Sequence, residues 1–400
     1  MSYQVVAFLG ETFLEVGGNF YSMPPNAKFL QMTFGEENVK VISPAAFAAT
    51  LSFKPNSVIE STCFYEAPLP AGCTTKEFYK RSIFDRGFYK RFCRFCDQVI
   101  EENPTAIFWA RTPSPGGIIF ALRVIKAKRK LLHHICGDAR DTWKDNKYRG
   151  FNKVLAYLFS KVVVKQLHKI ICYEKTVNLT SGSRLFDFAA NQSSHTHQFL
   201  DVVTNGVECS SLIKDRGDKI NLAFIGRVVD DKGVFELLAA LKLAIDKLGS
   251  VYHLTVVGSG PELPRLEKLV VDLNLNAFVM IKGVLDANGV SDVLRETDIV
   301  VIPSKTNEGF PRVIFEAWSH CIPVIVSQIG GISAFVENNR NALVVKPGSV
   351  NGIYNALLQC KDPLVYKQLK EGVIHSKEIS TQEYWSETVT NIVKMEFNGV

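Results

Sequence analysis

Two carboxylates, Glu308 and Glu316, stand eight positions apart in the largely apolar run "EGFPRVIFEAWSHCIP", residues 308–323. On one helix eight residues make about 2.2 turns, which would leave the pair about 80° apart around the axis and off a common stripe. Pro311 between them suits a first helical turn, where its missing N–H costs nothing, so the helix is expected to begin near it with Glu308 in the preceding loop. The two acids then flank a helix N-terminus. Each can accept two hydrogen bonds from neighbouring hydroxyls, which suits a ligand rich in OH groups.

Two other short stretches carry groups that would complement those acids. "GRVVDDKG", residues 226–233, holds Arg227 and Lys232, and "GSGPEL", residues 258–263, holds Gly258, Gly260 and Pro261. Two fixed cations and the N–H groups of a helix start can neutralise a diphosphate without metal. Phosphate together with a polyol describes a nucleotide sugar. Each element alone has a plainer reading: a Gly-x-Gly without a third glycine is a tight turn, and an arginine or lysine at a strand end is a solvated charge. Their order and spacing together are more specific.

The elements that must position these residues alternate short β-branched runs with helical patterns, the signature of parallel sheets with crossover helices. In the second half "INLAFIG", "HLTVVG", "FVMIKG", "DIVVIP", "IPVIVS" and "ALVVKP" each read as a buried strand, with "KGVFELLAALKLAIDKL" as the first crossover helix. In the first half the expected strands are "YQVVAFLG", "VKVIS", "AIFWA", "LLHHIC", "HKIICYE" and "HQFLDVVTNGV". Doubly wound sheets bind ligands outside the C-terminal ends of their strands, where all three chemical stretches fall. The expected division is a first Rossmann-like domain over 1–212, a second over 213–375 that carries all three stretches, and a C-terminal helix over 376–400 that packs on either domain.

Composition agrees with two globular domains: 400 residues, 46% hydrophobic and 22% charged, with no low-complexity tract. The N-terminus lacks a basic flank and a small-residue cleavage site, and no apolar stretch approaches the roughly 18 residues of a membrane span. A cytoplasmic protein is expected, with its nine cysteines as reduced thiols. Cys93 and Cys96 form a lone C-x-x-C with no second pair at zinc-site spacing. Residues 1–210 hold 26 Lys and Arg against 18 Asp and Glu, while residues 211–400 hold 20 against 22, so the first half carries the basic excess. No nucleic-acid partner is expected.

In order, "VVTNGVE", "GRVVDDKG", "GSGPE" and "SKTNEGFPRVIFEAWSHCIPVIVSQIGG" resemble the signature segments of glycosyltransferase family 4, over roughly residues 200–360 and only loosely before them. The resemblance implies a GT-B fold, two doubly wound Rossmann-like domains facing each other across a cleft, and a retaining, metal-independent hexosyltransferase with no cofactor. It implies that Glu308 contacts the donor sugar's hydroxyls, that the backbone at Gly309, Phe310 and Pro311 closes around sugar and phosphate, and that Glu316 binds the ribose. Arg227 and Lys232 match the diphosphate pair, and Gly17-Gly18 resembles the family's glycine loop, with an ordinary flexible turn as the alternative. Transfer would proceed by front-side attack without an enzyme nucleophile, unlike the paired carboxylates of retaining hydrolases.

The chain departs from the family in its first half. Cys136 and Arg111 stand near positions often held by histidine, and Ala334 in "GGISA" replaces an acid. Arg111, Asp138 and Arg140 are expected on the acceptor side, and His133 and His134 in a buried strand. The stretch "KEFYKRSIFDRGFYKRFCRFC" interleaves seven basic residues with aromatics. It reads as a helix of the first domain packing its aromatics on the core, or as one lying peripherally on the cytoplasmic face of a membrane, as a lipid-linked acceptor would require. The expected partners are a UDP- or GDP-hexose and a glycan, glycoconjugate or lipid-linked acceptor. The alternatives are a nucleotide-sugar epimerase or hydrolase of the same fold, and a binding protein without turnover.

Overall fold

The structure is a computed structural model. It describes residues 3–51, 53–85, 87–141, 143, 149–202, 219–249, 251–306 and 310–398. The chain forms two compact units, one of residues 1–203 with 385–400 and one of residues 204–384. The expected boundary at 212 lies outside the described residues.

Along unit 1 run β1 (Val5–Phe8), β2 (Phe13–Val16), β3 (Asn19–Ser22), α1 (Asn26–Phe34), β4 (Val39–Ser43), β5 (Ala45–Phe47), β6 (Ser57–Glu60), β7 (Phe64–Glu66), α2 (Thr75–Phe84), α3 (Phe88–Glu102), β8 (Ile107–Thr112), α4 (Pro115–Lys126), β9 (Leu131–Ile135), α5 (Phe151–Ile171), β10 (Thr176–Thr180), α6 (Ser183–Ala190) and β11 (Thr196–Gln198). The main sheet is parallel in the order β11-β10-β9-β8-β1-β4-β7. Every residue of β1, β9 and β10 is buried, as strands covered on both faces must be. A second sheet, β5-β2-β3-β6, was not expected from the sequence.

Three first-half expectations are corrected. "HKIICYE" is the end of α5 and the turn after it, because Val163, Leu167, Ile170 and Ile171 recur at helical spacing and are buried on the core; the strand is "TVNLT", just beyond. Of "HQFLDVVTNGV" only His197 and Gln198 pair as a strand among the described residues, as the end of β11. The basic aromatic stretch is two helices. Asp85 stops α2 and caps α3, its carboxylate accepting from the N–H groups of Gly87 at 2.9 Å and Phe88 at 3.1 Å. Phe88 and Phe92 are consequently buried, and Phe84 is left 79% exposed.

Unit 2 contains β12 (Ile220–Ile225), α7 (Val234–Leu248), β13 (Tyr252–Val257), α8 (Leu263–Asp272), β14 (Val279–Gly283), α9 (Ala287–Glu296), β15 (Ile299–Ile302), α10 (Val313–Ser319), β16 (Val324–Ser327), β17 (Ala342–Val345), α11 (Val350–Lys361) and α12 (Pro363–Ser376). All six expected strands form, in the parallel order β14-β13-β12-β15-β16-β17. Strand order reverses between β12 and β15, so the loops leaving those two strands diverge at a topological switch point. The first crossover, α7, buries Val234, Leu237, Leu238, Leu241 and Ala244.

A final helix, α13 (Gln382–Asn398), belongs for most of its length to unit 1. Trp385 meets Phe199 edge-on at 6.0 Å, and Glu396 accepts from His195 at 2.6 Å and His197 at 2.8 Å. No helix of the described residues is long and apolar enough to cross a membrane. Among the described residues seven cysteines are free thiols, and Cys321 departs from expectation by standing in a disulfide.

Candidate functional site

At the switch point of unit 2 lies a cavity of about 210 Å³ whose polar lining comes from Arg227, Lys232, Ser304 and Arg312, with Gly226 and Pro311 as backbone walls. Arg227 leaves the end of β12, Lys232 ends a 3-10 turn at the start of α7, Ser304 follows β15, and Arg312 is the N-cap residue of α10. Among the described residues three cations line the space and no carboxylate does. Its volume falls below the roughly 300 Å³ at which whole-ligand sites start, which suits part of a larger ligand. The arrangement can hold a dianionic group by charge and by charge-assisted hydrogen bonds.

The loops are held in place from behind. Val228 N–H donates to Ser259 O at 2.9 Å and Gly226 N–H to Val257 O at 2.9 Å, tying the β12 loop to the β13 loop. Gly258, with φ +133°, serves this contact: a Cβ on it would lie 1.9 Å from Gly226 O. On the other side Lys305 donates through Nζ to Asp230 Oδ2 at 2.8 Å and Glu236 Oε1 at 3.0 Å, and through its N–H to Asp231 O at 2.7 Å. Burial works against the charge of Lys305, but these carboxylates outweigh it and hold the ammonium more firmly protonated than usual.

Of the residues expected here, the structure brings Arg227, Lys232 and Pro311 together and sets Gly258 behind them. Phe310 is buried against Phe315 at 4.9 Å and Phe335 at 5.4 Å, so its ring serves the core. Glu316 sits in the first turn of α10, partly buried and off the cavity lining. Burial pushes its carboxyl above the usual range, and the charge of Arg312, one turn earlier, draws it part of the way back. Glu308 and Gly309 lie outside the described residues. Sequence reasoning missed Arg312, Ser304 and Lys305; the placement of Arg312 beside Pro311 at the helix start was the available signal.

In unit 1 the expected residues fall into separate settings. Gly17 and Gly18, at φ +60° and +82°, form the two-residue turn of the β2–β3 hairpin, with open space around each. That geometry is the hairpin turn glycine favours. Asp138 and Arg140 satisfy one another, with bonds of 2.8 and 2.6 Å, and Arg140 also donates to Arg184 O at 3.1 Å. Burial would raise the Asp138 carboxyl, but Arg140 outweighs it and holds it below the usual range.

Arg111 lies instead 3.5 Å from Asp201, in a cluster that includes Glu11. Burial pushes the Glu11 carboxyl up, against the hydrogen bonds it accepts from Asn26 and Ser22. Glu11 had no signal in the sequence. His133 and His134 are both buried core residues: His133 is bonded to Thr112 at 2.9 Å and Asn178 at 3.0 Å, and His134 to Ser181 at 3.2 Å.

Residues 213–370, which include every residue around the cavity, match the family model described as Glycosyl transferases group 1. An uncharacterized glycosyltransferase of Methanocaldococcus jannaschii is 26% identical over 245 residues, 61% of this chain and 63% of the relative. The 2-deoxystreptamine N-acetyl-D-glucosaminyltransferase of Niallia circulans is 28% identical over 219 residues, 52% of this chain and 55% of the relative. The chain thus spans less than two thirds of the length of these curated relatives. Among solved structures, sucrose-phosphate synthase from Thermosynechococcus elongatus superposes with a TM-score of 0.68 at 15% identity, over 99% of this chain and 100% of that one. Anabaena HepE in complex with UDP superposes with a TM-score of 0.65 at 15% identity, over the whole of both chains. This likeness establishes the GT-B fold, α/β with parallel sheets in two Rossmann-like units.

Proposed function

We propose that the chain is a retaining glycosyltransferase of family 4. It transfers a hexose from a UDP- or GDP-sugar to a hydroxyl of a glycan, glycoconjugate or lipid-linked acceptor, in the cytoplasm and without metal. The carrying observation is the cavity at the β12/β15 switch point, lined by Arg227, Lys232 and Arg312. A nucleoside diphosphate leaving group gains negative charge as the glycosidic bond breaks, and fixed cations at that position stabilise it more in the transition state than in the ground state. That HepE was crystallised with UDP and with UDP-glucose makes a UDP-sugar the first donor to test.

In this reading Glu308 orients the donor sugar through its hydroxyls, Glu316 holds the ribose, and the backbone of residues 309–311 closes over sugar and phosphate. The acceptor oxygen bonds to the anomeric carbon on the face the diphosphate leaves. The bond from that carbon to the phosphate oxygen breaks, and a phosphate oxygen takes the acceptor's proton. Arg111, Asp138 and Arg140 remain the proposed acceptor-side residues.

Saturation-transfer NMR against UDP- and GDP-sugars without added metal, for the wild type and Arg227→Ala, tests the donor site. Binding of one sugar nucleotide, lost in the variant, is the expected result. Absence of binding to any of them would overturn the reading. Turnover assays then separate the alternatives: donor consumed without acceptor marks a hydrolase or epimerase. Binding without turnover, with Glu308→Ala changing affinity alone, marks a binding protein.

A further inference from the structure

We infer that unit 1 carries a docking face, built from the first half of α5 and the end of α2, that takes an anionic lipid surface. The inference is independent of the donor site and goes beyond the reading above. Its basis is a helix that is apolar on two sides. Along α5, Val163, Leu167 and Ile170 are buried against the core, whereas Val154, Leu155, Leu158 and Val162 are 53%, 48%, 55% and 55% exposed. At about 100° per residue, Val154 and Val162 fall about 40° to either side of Leu158, and Leu155 about 60° from it, so the four form one outward stripe. A helix apolar all round is ordinarily covered on every side. Here the outer stripe faces solvent.

A second element that touches α5 carries further exposed apolar side chains. Tyr79 of α2 meets Phe159 of α5 edge-on at 4.3 Å. One turn beyond Tyr79, Ile83 and Phe84 are 72% and 79% exposed. Six large apolar side chains on two touching helices thus face outward, where such side chains on a monomer surface usually occur singly.

Charge identifies the occupant. The 21 residues of α5 contain Lys153, Lys161, Lys165 and Lys169 and no Asp or Glu. On α2, Lys76, Lys80 and Arg81 line an open recess of about 500 Å³ that Phe84 borders. The two acids at that recess, Glu77 and Asp85, are engaged by Arg81 at 3.0 Å and Arg91 at 2.6 Å. An apolar stripe rimmed by lysines fits a bilayer with negative headgroups: the side chains enter the acyl boundary while the ammonium groups reach the phosphates. A second copy of this chain would bring the same cations face to face. No described helix can span a bilayer, so the contact lies in the plane of the surface.

The test is co-sedimentation of the full chain with phosphatidylcholine vesicles and with vesicles that also contain phosphatidylglycerol, at low and high salt. Binding is expected to the anionic vesicles, to weaken with salt, and to fall on the order of tenfold or more in Leu158→Glu/Val162→Glu. Ile83→Ser/Phe84→Ser should weaken it too; all four side chains are exposed, and circular dichroism verifies that the variants fold. A wild type that ignores anionic vesicles, or variants that bind them as the wild type does, would overturn the proposal. So would a wild-type dimer that these substitutions convert to monomers without any vesicle binding, which would make the face an interface between copies.

Discussion

The carbonyl oxygen of Gly226 occupies the space a side chain on Gly258 would need: a Cβ there would lie 1.9 Å from it. The contact joins the loops after β12 and β13 beside the cavity, so Gly258→Ala must force them apart. The expected cost is roughly 1–3 kcal/mol in the stability of unit 2, by analogy with overpacked cores. Nucleoside diphosphate binding should weaken alongside it. A lowered melting temperature together with weaker UDP binding checks this; an alanine variant with wild-type melting would show that the loops tolerate separation.

Arg312 lines the same cavity as Arg227, at the start of α10. Hydrogen bonds to charged groups contribute about 1.5–3 kcal/mol each. Arg312→Ala should therefore weaken nucleoside diphosphate binding by roughly 10–100-fold, as much as Arg227→Ala does, and Arg312→Lys should recover part of the loss. Titration calorimetry with UDP and GDP measures both. An Arg312→Ala variant of unchanged affinity would remove this residue from the site.

Much of unit 2 was legible because its signals are local. Six apolar runs bounded by glycine or proline name six strands, and Arg227, Lys232 and Pro311 lie within a few residues of strand or helix ends. Lys305 was not legible, since its partners Asp230 and Glu236 are 75 and 69 residues away and no periodicity links them. Unit 1 was harder for a related reason. "HKIICYE" is as apolar and β-branched as a strand, and only the longer helical stripe from Val163 to Ile171 decides against it. Phe84 and Phe88 look alike in sequence. The capping of α3 by Asp85 exposes one and buries the other.

Lys305 acts on the site through the loop it holds. Replacing it with methionine removes the cation that Asp230 and Glu236 share, leaving Asp230 only Arg265 at 3.9 Å among the described residues, and frees the segment that carries Arg227 and Lys232. In the proposed reaction this residue positions the diphosphate ligands, so Lys305→Met should raise KM for the donor several-fold with a smaller effect on kcat. Lys305→Arg should restore much of it. A merely structural role would instead lower the melting temperature and leave the KM of the surviving folded enzyme unchanged.

His133 offers a test of unit 1 by pH. It is wholly buried between Thr112 and Asn178, and burial pushes its imidazole down to about 4 despite the hydrogen bond with Asn178. A folded value below the unfolded one, near 6.5, means that the unfolded chain binds the proton more tightly. The contribution is therefore fully present above pH 6.5 and is lost as pH falls through that value towards 4. The whole shift corresponds to roughly 3 kcal/mol. Asp138 and Glu396, whose carboxyls are held low, lose their contributions only further into acid, while the raised carboxyl of Glu11 acts in the opposite sense. The difference between the wild type and His133→Gln isolates the histidine: urea unfolding followed at several pH values should show the variant's stability flatter between pH 6.5 and 4. Parallel pH profiles for the two proteins would mean that His133 is protonated as readily in the fold as out of it.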